Sequence, residues 1–380
     1  MSPERIDQRA LGRATLARQH LLERTDGQGG RGVVAMVRHL VGLQAQAPWS
    51  PYLALLARLD DVVPDDVGGL IERRSLVRTP TLRGTIHLST PADAAAIRPH
   101  LQPLFDRQLT SQKKRREQLA GVDIDAVAEA GAAVMASEAL TPTELGERLA
   151  ERFEGVAPEA LAMVVRNRVH TVQVPPRAVW GKQGPPRLTS LEAWVAGGPV
   201  PEEPPGPMPL DELVRRHLAA YGPSTVKDVQ TWSGLTRLAE VVADLGTELV
   251  RFTGEDGAEL LDLPDAPRPS ADVDAPPRLL PDFDEVLLAH ADRRRIVPSA
   301  HRVRIASRNG MPPATVLIDG RVAGTWRQER SGRRGGDVGI TVETWGPLPR
   351  SERPRMEEEA LRLLDLVAPD TGHDVRIMRA

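Results

Sequence analysis

Apolar residues recur at helical spacing through residues 5–24, at Leu11, Ala14, Leu16, Leu21 and Leu22. A glycine-rich break at 26–32 separates them from a second helical pattern, VVAMVRHLVGLQAQ at 33–46, which Ala47-Pro48 ends. A short apolar piece at 53–59 leads to Pro64-Asp65-Asp66, a start signal for a helix running to about Leu76. Residues 79–90, TPTLRGTIHLST, combine β-branched residues, a central Gly84 and flanking prolines, and predict a small hairpin.

The order of helices and hairpin recurs. Residues 141–153 open with Thr141 and Glu144, a capping box, 158–170 supply a further helix, and 171–180 read as extended. A third instance begins near Pro209 with a helix at 210–220, continues through GPSTVKDVQTWSG, capped at Ser224 or Thr225, and reaches a helix at 235–245. Segments 248–252 and 259–263 flank Gly254-Glu255-Asp256-Gly257, a hairpin turn. Three helices followed by a β-wing make the winged-helix arrangement, whose helix-turn-helix part suits a DNA groove. The copies share pattern rather than identity.

Proline-rich stretches at 197–209 and 264–277 read as linkers or long loops, and beyond them the period changes to two. Segments 301–305, 314–318, 321–326 and 339–345 alternate, with hairpin turns at Asn309-Gly310 and Asp319-Gly320. They predict a small β-sheet or barrel, closed by an amphipathic helix at 353–367 and a returning strand at 374–378. The fold class is α+β, in modules at 1–120, 121–200, 201–277 and 278–380. A length of 380 residues accommodates this.

The absence of cysteine removes disulfides, thiolate metal sites and a cysteine nucleophile, and suits a reducing compartment. No apolar run reaches about 18 residues and the charged N-terminus lacks a signal-peptide core. A cytoplasmic, nucleoid-associated protein is the expectation. The formal charge of −3 hides structure. Residues 98–120 carry net +4 and 287–334 net +8, whereas 198–285 carry net −11. Two basic segments on a weakly acidic chain can form a polyanion-binding face, or they are solvated surface.

Several patterns resemble chemistry without supporting it. Gly27-Gln28-Gly29-Gly30-Arg31-Gly32 matches G-x-G-x-x-G, but a helical pattern rather than a strand precedes it, so it reads as a loop. The nine histidines form no close metal pair, and neither metal nor organic cofactor is expected. Asp60-Asp61, Asp65-Asp66 and Glu202-Glu203 read as helix starts and loops, and Lys113-Lys114-Arg115-Arg116 as a solvated helix face.

Gln44-Ala45-Gln46 stands at the end of the second helical pattern. On a continuous helix residues i and i+2 diverge by about 200° and cannot act on one atom. Off the helix, as Pro48 encourages, the two carboxamides can face one way and hold a water between donors and acceptors. By spacing alone the plainer reading is two polar residues on a fraying last turn.

The blocks GLQAQ, TLRGTIH, YGPSTVKDVQTWSGL, PDFDEVLLAHADRRRIV and VLIDGRVAGTWR, in this order over nearly the whole chain, resemble the winged-helix DNA glycosylases of the azinomycin-resistance (AlkZ-like) type. The resemblance implies three tandem winged-helix units, a C-terminal β-barrel around a DNA channel, and monofunctional excision of alkylated purines without a cofactor. The family's catalytic Gln–x–Gln or Gln–x–Asp triplet falls on Gln44, Ala45 and Gln46. Relatives acting broadly on simple adducts and crosslinks tend to carry Asp last. Gln46 therefore points to the self-resistance branch, whose substrates are bulky N7-alkylguanines and crosslinks. Ala45 is smaller than the aliphatic residue usual between the two.

Trp49 and Tyr52 could wall the site or pack beneath it. Arg83 and His87 would share a face of the first wing, for DNA contact or hairpin stabilisation. Arg293, Arg294, Arg295, Arg302, Arg304 and Arg327 are candidate phosphate contacts, although Arg327 beside Trp326 could close a structural pair. The partner implied is double-stranded DNA bearing an alkylated purine, met by a monomer. A non-enzymatic winged-helix regulator and a damage- or drug-binding protein without turnover are the competing readings. Neither needs the glutamine pair.

Overall fold

A computed structural model describes residues 4–198, 206–306, 312–330 and 336–380 of the chain. The fold is mixed α+β, in two compact units: Met1–Asp66 with Leu210–Trp232 and Arg237–Ala380, and Val67–Pro209 with Ser233–Thr236. The Asn309-Gly310 turn and the Glu202-Glu203 pair lie outside the described residues, as does part of the 197–209 linker.

In the first unit Asp7 accepts the Ala10 amide at 2.7 Å and starts helix α1, Gln8–Arg18. Helix α2 spans Gly30–His39, ending seven residues before the 33–46 pattern does. The cause is a Schellman motif: Gly42 N donates to Val37 O at 2.9 Å and Val41 N to Arg38 O at 3.1 Å, with Val41 at φ 59° and Gly42 at φ 108°. Leu43–Gln44 is then extended, and helix α3, Ser50–Leu56, follows with a proline in its first turn. The glycines of 27–32 pack backbone on backbone. A Cβ on Gly32 would lie 2.2 Å from Gly27 O, and one on Gly27 2.6 Å from Asp60 O. They form a turn into α2 after only two extended residues, Thr25–Asp26.

Leu210–Tyr221, Val226–Ser233 and Leu238–Leu245 are three helices followed by the antiparallel pair Val250–Gly254 and Glu259–Asp262, to which Glu4–Ile6 adds a parallel strand. The C-terminal strands make an open sheet of five in the order Arg278–Leu280, Thr315–Ile318, Arg321–Arg330, Val338–Thr344 and His373–Arg379. Its two outer strands do not pair with each other, so no closed barrel forms among the described residues. Asp319-Gly320, both at positive φ, makes the tight turn expected of it. Helix Glu352–Val367 carries the chain across to the parallel last strand. The strand predicted at 301–305 is instead a helical turn, Ser299–His301 and Arg302–Ile305. Its alternation misleads because only Ile305 reaches the core, beside Leu280, Leu287, Ile296 and Val322, while Val303 is exposed.

In the second unit Val77–Pro80 and Ile86–Ser89 form the expected hairpin, Thr79 opposite His87. Helices Ile124–Ser137, Pro142–Ala150 and Pro158–Arg168 enclose Val127, Leu145, Leu149, Leu161 and Val165. The Thr141–Glu144 capping box is formed at 3.2 and 2.8 Å. Strands Thr171–Gln173 and Leu188–Ser190 pair antiparallel after these helices. The basic run lies on helix Lys113–Gln118, none of it buried.

Candidate active site

The Schellman end of α2 puts the glutamine pair off the helix, which is what action on one atom requires. Tyr221 Oη holds this end by donating to Leu40 O at 2.9 Å. Leu43 and Ala45 are buried, Gln44 is 7% exposed, and Gln46 reaches the surface. After Pro48, Trp49 meets Tyr52 edge to face, ring centroids 5.9 Å apart, with Tyr52 buried. Tyr52 therefore packs beneath the segment.

Two residues beyond α3, Arg58 forks onto Asp284 at 2.7 and 2.8 Å with both side chains fully buried. It also donates to Gln19 Oε1 and Ala54 O, each at 2.9 Å. Asp284 holds Arg58 firmly in its charged form against the cost of burial.

The blocks around 221–233 and 281–297 meet in a buried polar knot. His217 Nε2 lies 3.1 Å from Ser224 Oγ, and His290 Nε2 lies 3.0 Å from Tyr221 O. Asp228 accepts from Ala291 N at 2.8 Å and caps helix Val226–Ser233 through Thr225. Burial pushes both imidazoles well below 6.5, and Arg295 adds to the effect on each. Ser, His and Asp meet here with His217, Ser224, His290 and Asp228 buried, and with their bonds spent on one another and on the backbone they join elements, although Thr225 is half-buried and Ala291 exposed at the rim. Neither this role nor the Arg58–Asp284 pair is legible in the two blocks as sequence, since each joins positions far apart in the chain.

The predicted DNA contacts separate by exposure. Arg293, Arg302 and Arg304 are exposed, and the Arg304 guanidinium stands 5.5 Å from the Trp345 ring. Arg294 bonds Asp292 and Asp256, and Arg327 bonds Glu329 and Glu343. These carboxylates hold both guanidiniums firmly charged. Arg295 is a correction: 3% exposed, it donates to Pro223 O at 2.7 Å and Thr15 Oγ1 at 3.3 Å, and burial lowers it to about 10. It fastens the knot, its guanidinium spent on internal oxygens. His87 is likewise fully buried. Its Nδ1 lies 2.9 Å from Thr85 O, so Nδ1 carries the proton, and Nε2 accepts from Arg83 Nη2 at 3.3 Å. Of this pair Arg83 is the outer member, and His87 steadies it.

Among the described residues no three His, Asp or Glu side chains gather as a metal would need, and no helix is long and apolar enough to cross a membrane.

A family model described as DNA glycosylase AlkZ-like matches residues 37–366. The chain belongs to this family. The AlkZ-like match begins ahead of the glutamine pair and runs to the end of helix Glu352–Val367. A relative from Streptomyces sahachiroi, an interstrand DNA cross-link repair glycosylase, is 28% identical over 77% of this chain and 81% of its own. The solved structure of the Streptomyces sahachiroi DNA glycosylase AlkZ shares the fold, with a TM-score of 0.74, 22% identity, and coverage of 98% of this chain and 100% of that one. AlkZ-like membership makes the protein a DNA glycosylase and favours turnover over a non-enzymatic regulator.

Proposed function

We propose that this glycosylase excises N7-alkylated purines from duplex DNA, including bulky adducts and interstrand crosslinks, and that Gln44 and Gln46 position the attacking water. The support for crosslinks is the named activity of the Streptomyces relative, and glutamine at position 46 supports the bulky adducts. The observation that carries the catalytic reading is the release of both glutamines from α2, with Gln46 at the surface. We read the helix triads with their hairpins as winged-helix units, the C-terminal sheet as the counterpart of the family's barrel, and 1–120, 121–200, 201–277 and 278–380 as the sequence modules that carry them.

The chemistry needs little from the protein. Most glycosidases use carboxylates to assist the leaving group and stabilise an oxocarbenium-like sugar. Alkylation at N7 already places a positive charge on guanine. The glycosidic bond breaks with its electron pair passing to the base, which leaves neutral. Water bonds to the anomeric carbon and gives up one proton to solvent. Orienting that water is an entropic task that two neutral carboxamides perform, each with one acceptor and two donors. No step requires either glutamine to ionise.

The test is an adduct panel. Duplexes carrying N7-methylguanine, a bulky N7 adduct or an N7–N7 crosslink are incubated with purified protein. Release of free base and alkali-labile abasic sites supports the reading. Sequence-specific binding with no release from any of them overturns it.

A further inference from the structure

The glutamine segment is bounded on two sides. Upstream it is fixed by the Schellman end of α2 and by Tyr221. Downstream only Ala47, Pro48 and Trp49 separate Gln46 from α3, and this link is stiff: Pro48 has a fixed φ, and Ser50 N turns back toward Ala47 O at 3.4 Å. A shift of α3 is therefore passed to Gln46. Besides the packing of Tyr52, Leu55 and Leu56 and the bond from Arg362 to Leu56 O, α3 is gripped near both ends by one turn more than 220 residues away in sequence, Asp282-Phe283-Asp284. Asp284 takes Arg58 just past the far end. Asp282 Oδ1 accepts from Ser50 Oγ at 2.5 Å, at the near end. Ser50 is buried and Asp282 half-buried. The residue between the two aspartates, Phe283, sits at φ 60°, a left-handed conformation unusual for a bulky side chain. α3 spans seven residues, longer than a dipeptide step, and the long Arg58 side chain bridges the difference.

The two aspartates differ in kind. The Arg58–Asp284 pair is dry and joins elements of the core. The Ser50–Asp282 bond is a single contact to a half-buried carboxylate at the end of α3 that faces the glutamines along the chain. We propose that Asp282 is a positioning residue of the glycosylase, acting through Ser50 and α3 to fix where Gln46 holds its water. This rests on the catalytic reading above. It adds a residue pair that a Gln–x–Gln motif does not contain, and it accounts for the strained Phe283: the left-handed turn lets one short segment hold α3 at both ends.

The test is steady-state kinetics on an N7-methylguanine duplex with Ser50→Ala, Asp282→Ala, Asp282→Asn and the double variant Ser50→Ala/Asp282→Ala. Misplacement of a reacting group by a fraction of an ångström to an ångström costs up to about a hundredfold in rate. Ser50→Ala and Asp282→Ala each lower kcat about ten- to a hundredfold, with KM for DNA within about twofold. The double variant is no slower than the worse single, because both remove one interaction. Asp282→Asn keeps an oxygen that accepts from Ser50 and stays within about threefold of wild type, although it removes the same charge as Asp282→Ala. If Asp282→Ala melts too early to assay, Ser50→Ala and Asp282→Asn carry the comparison alone. Three results overturn the proposal: unchanged kcat in Ser50→Ala, independent losses that multiply in the double variant, or Asp282→Asn as slow as Asp282→Ala with an acidic limb lost from the pH profile. The last would make Asp282 a proton-transfer group. A wild type that releases no base from any adduct sinks the proposed function instead, which the same assay separates.

Discussion

At the scale of single residues the site divides into groups that meet the substrate and groups that hold them. Gln46 is at the surface and Gln44 is nearly covered, so truncating them differs in consequence. Gln46→Ala loses most turnover while DNA affinity, measured by fluorescence anisotropy, stays within about threefold. Gln44→Ala loses turnover and some stability as well, because it opens a buried space. Arg58 belongs to the holding group. Arg58→Met strands Asp284 without a countercharge, and breaking a buried pair from one side costs about 3–5 kcal/mol. Urea unfolding of Arg58→Met checks this, and a loss under about 1 kcal/mol would show that the pair is dispensable. None of these holders was legible from spacing. Asp282, Asp284 and Arg58 are ordinary charged residues until folding joins positions more than 220 apart. The glutamines drew attention by residue type and by resemblance, and their escape from the helix was written in Gly42, which the helical pattern ran across.

At the scale of elements, local chemistry was readable where it was complete within a few residues. The Thr141–Glu144 box, the Asp319-Gly320 turn and the hairpin over 77–89 each carry their own signal, and each forms. Period alone failed at 301–305, where alternation without a neighbouring strand gave a helical turn. The polar knot was invisible because its members come from separate blocks. It has a measurable signature. Burial holds His217 and His290 well below 6.5, and outside the knot, in the second unit, burial with Arg98 holds His170 down to about 3. The unfolded chain therefore binds protons that the folded protein refuses. Stability is full above about pH 6.5 and falls as pH drops below it, by up to about 1.4 kcal/mol per unit for each ring. Urea midpoints at pH 7.5, 6.5 and 5.5 should descend in that order, and a level series would mean these rings are not buried neutral.

At the scale of the whole molecule, a net charge of −3 conceals an arginine-rich C-terminal stretch, and exposure sorts its members. Arg293, Arg302 and Arg304 are exposed, whereas Arg294 and Arg327 are engaged by carboxylates and Arg295 is internal. If the first three meet phosphates, each alanine variant lowers the slope of log K against log salt by about 0.9. Arg327→Ala changes the slope by less, and a slope identical to wild type in all three would remove them from the DNA face. The central claim is narrower than binding: a base made ready to leave by alkylation needs only an oriented water. Its most direct test is the single-turnover rate of N7-methylguanine release from pH 5.5 to 8.5, in wild type and Gln46→Ala. The account predicts two nearly level, parallel profiles, with the variant about a hundredfold slower throughout. A wild-type rate in the variant, or a profile that follows one group titrating between pH 5 and 7, would contradict it.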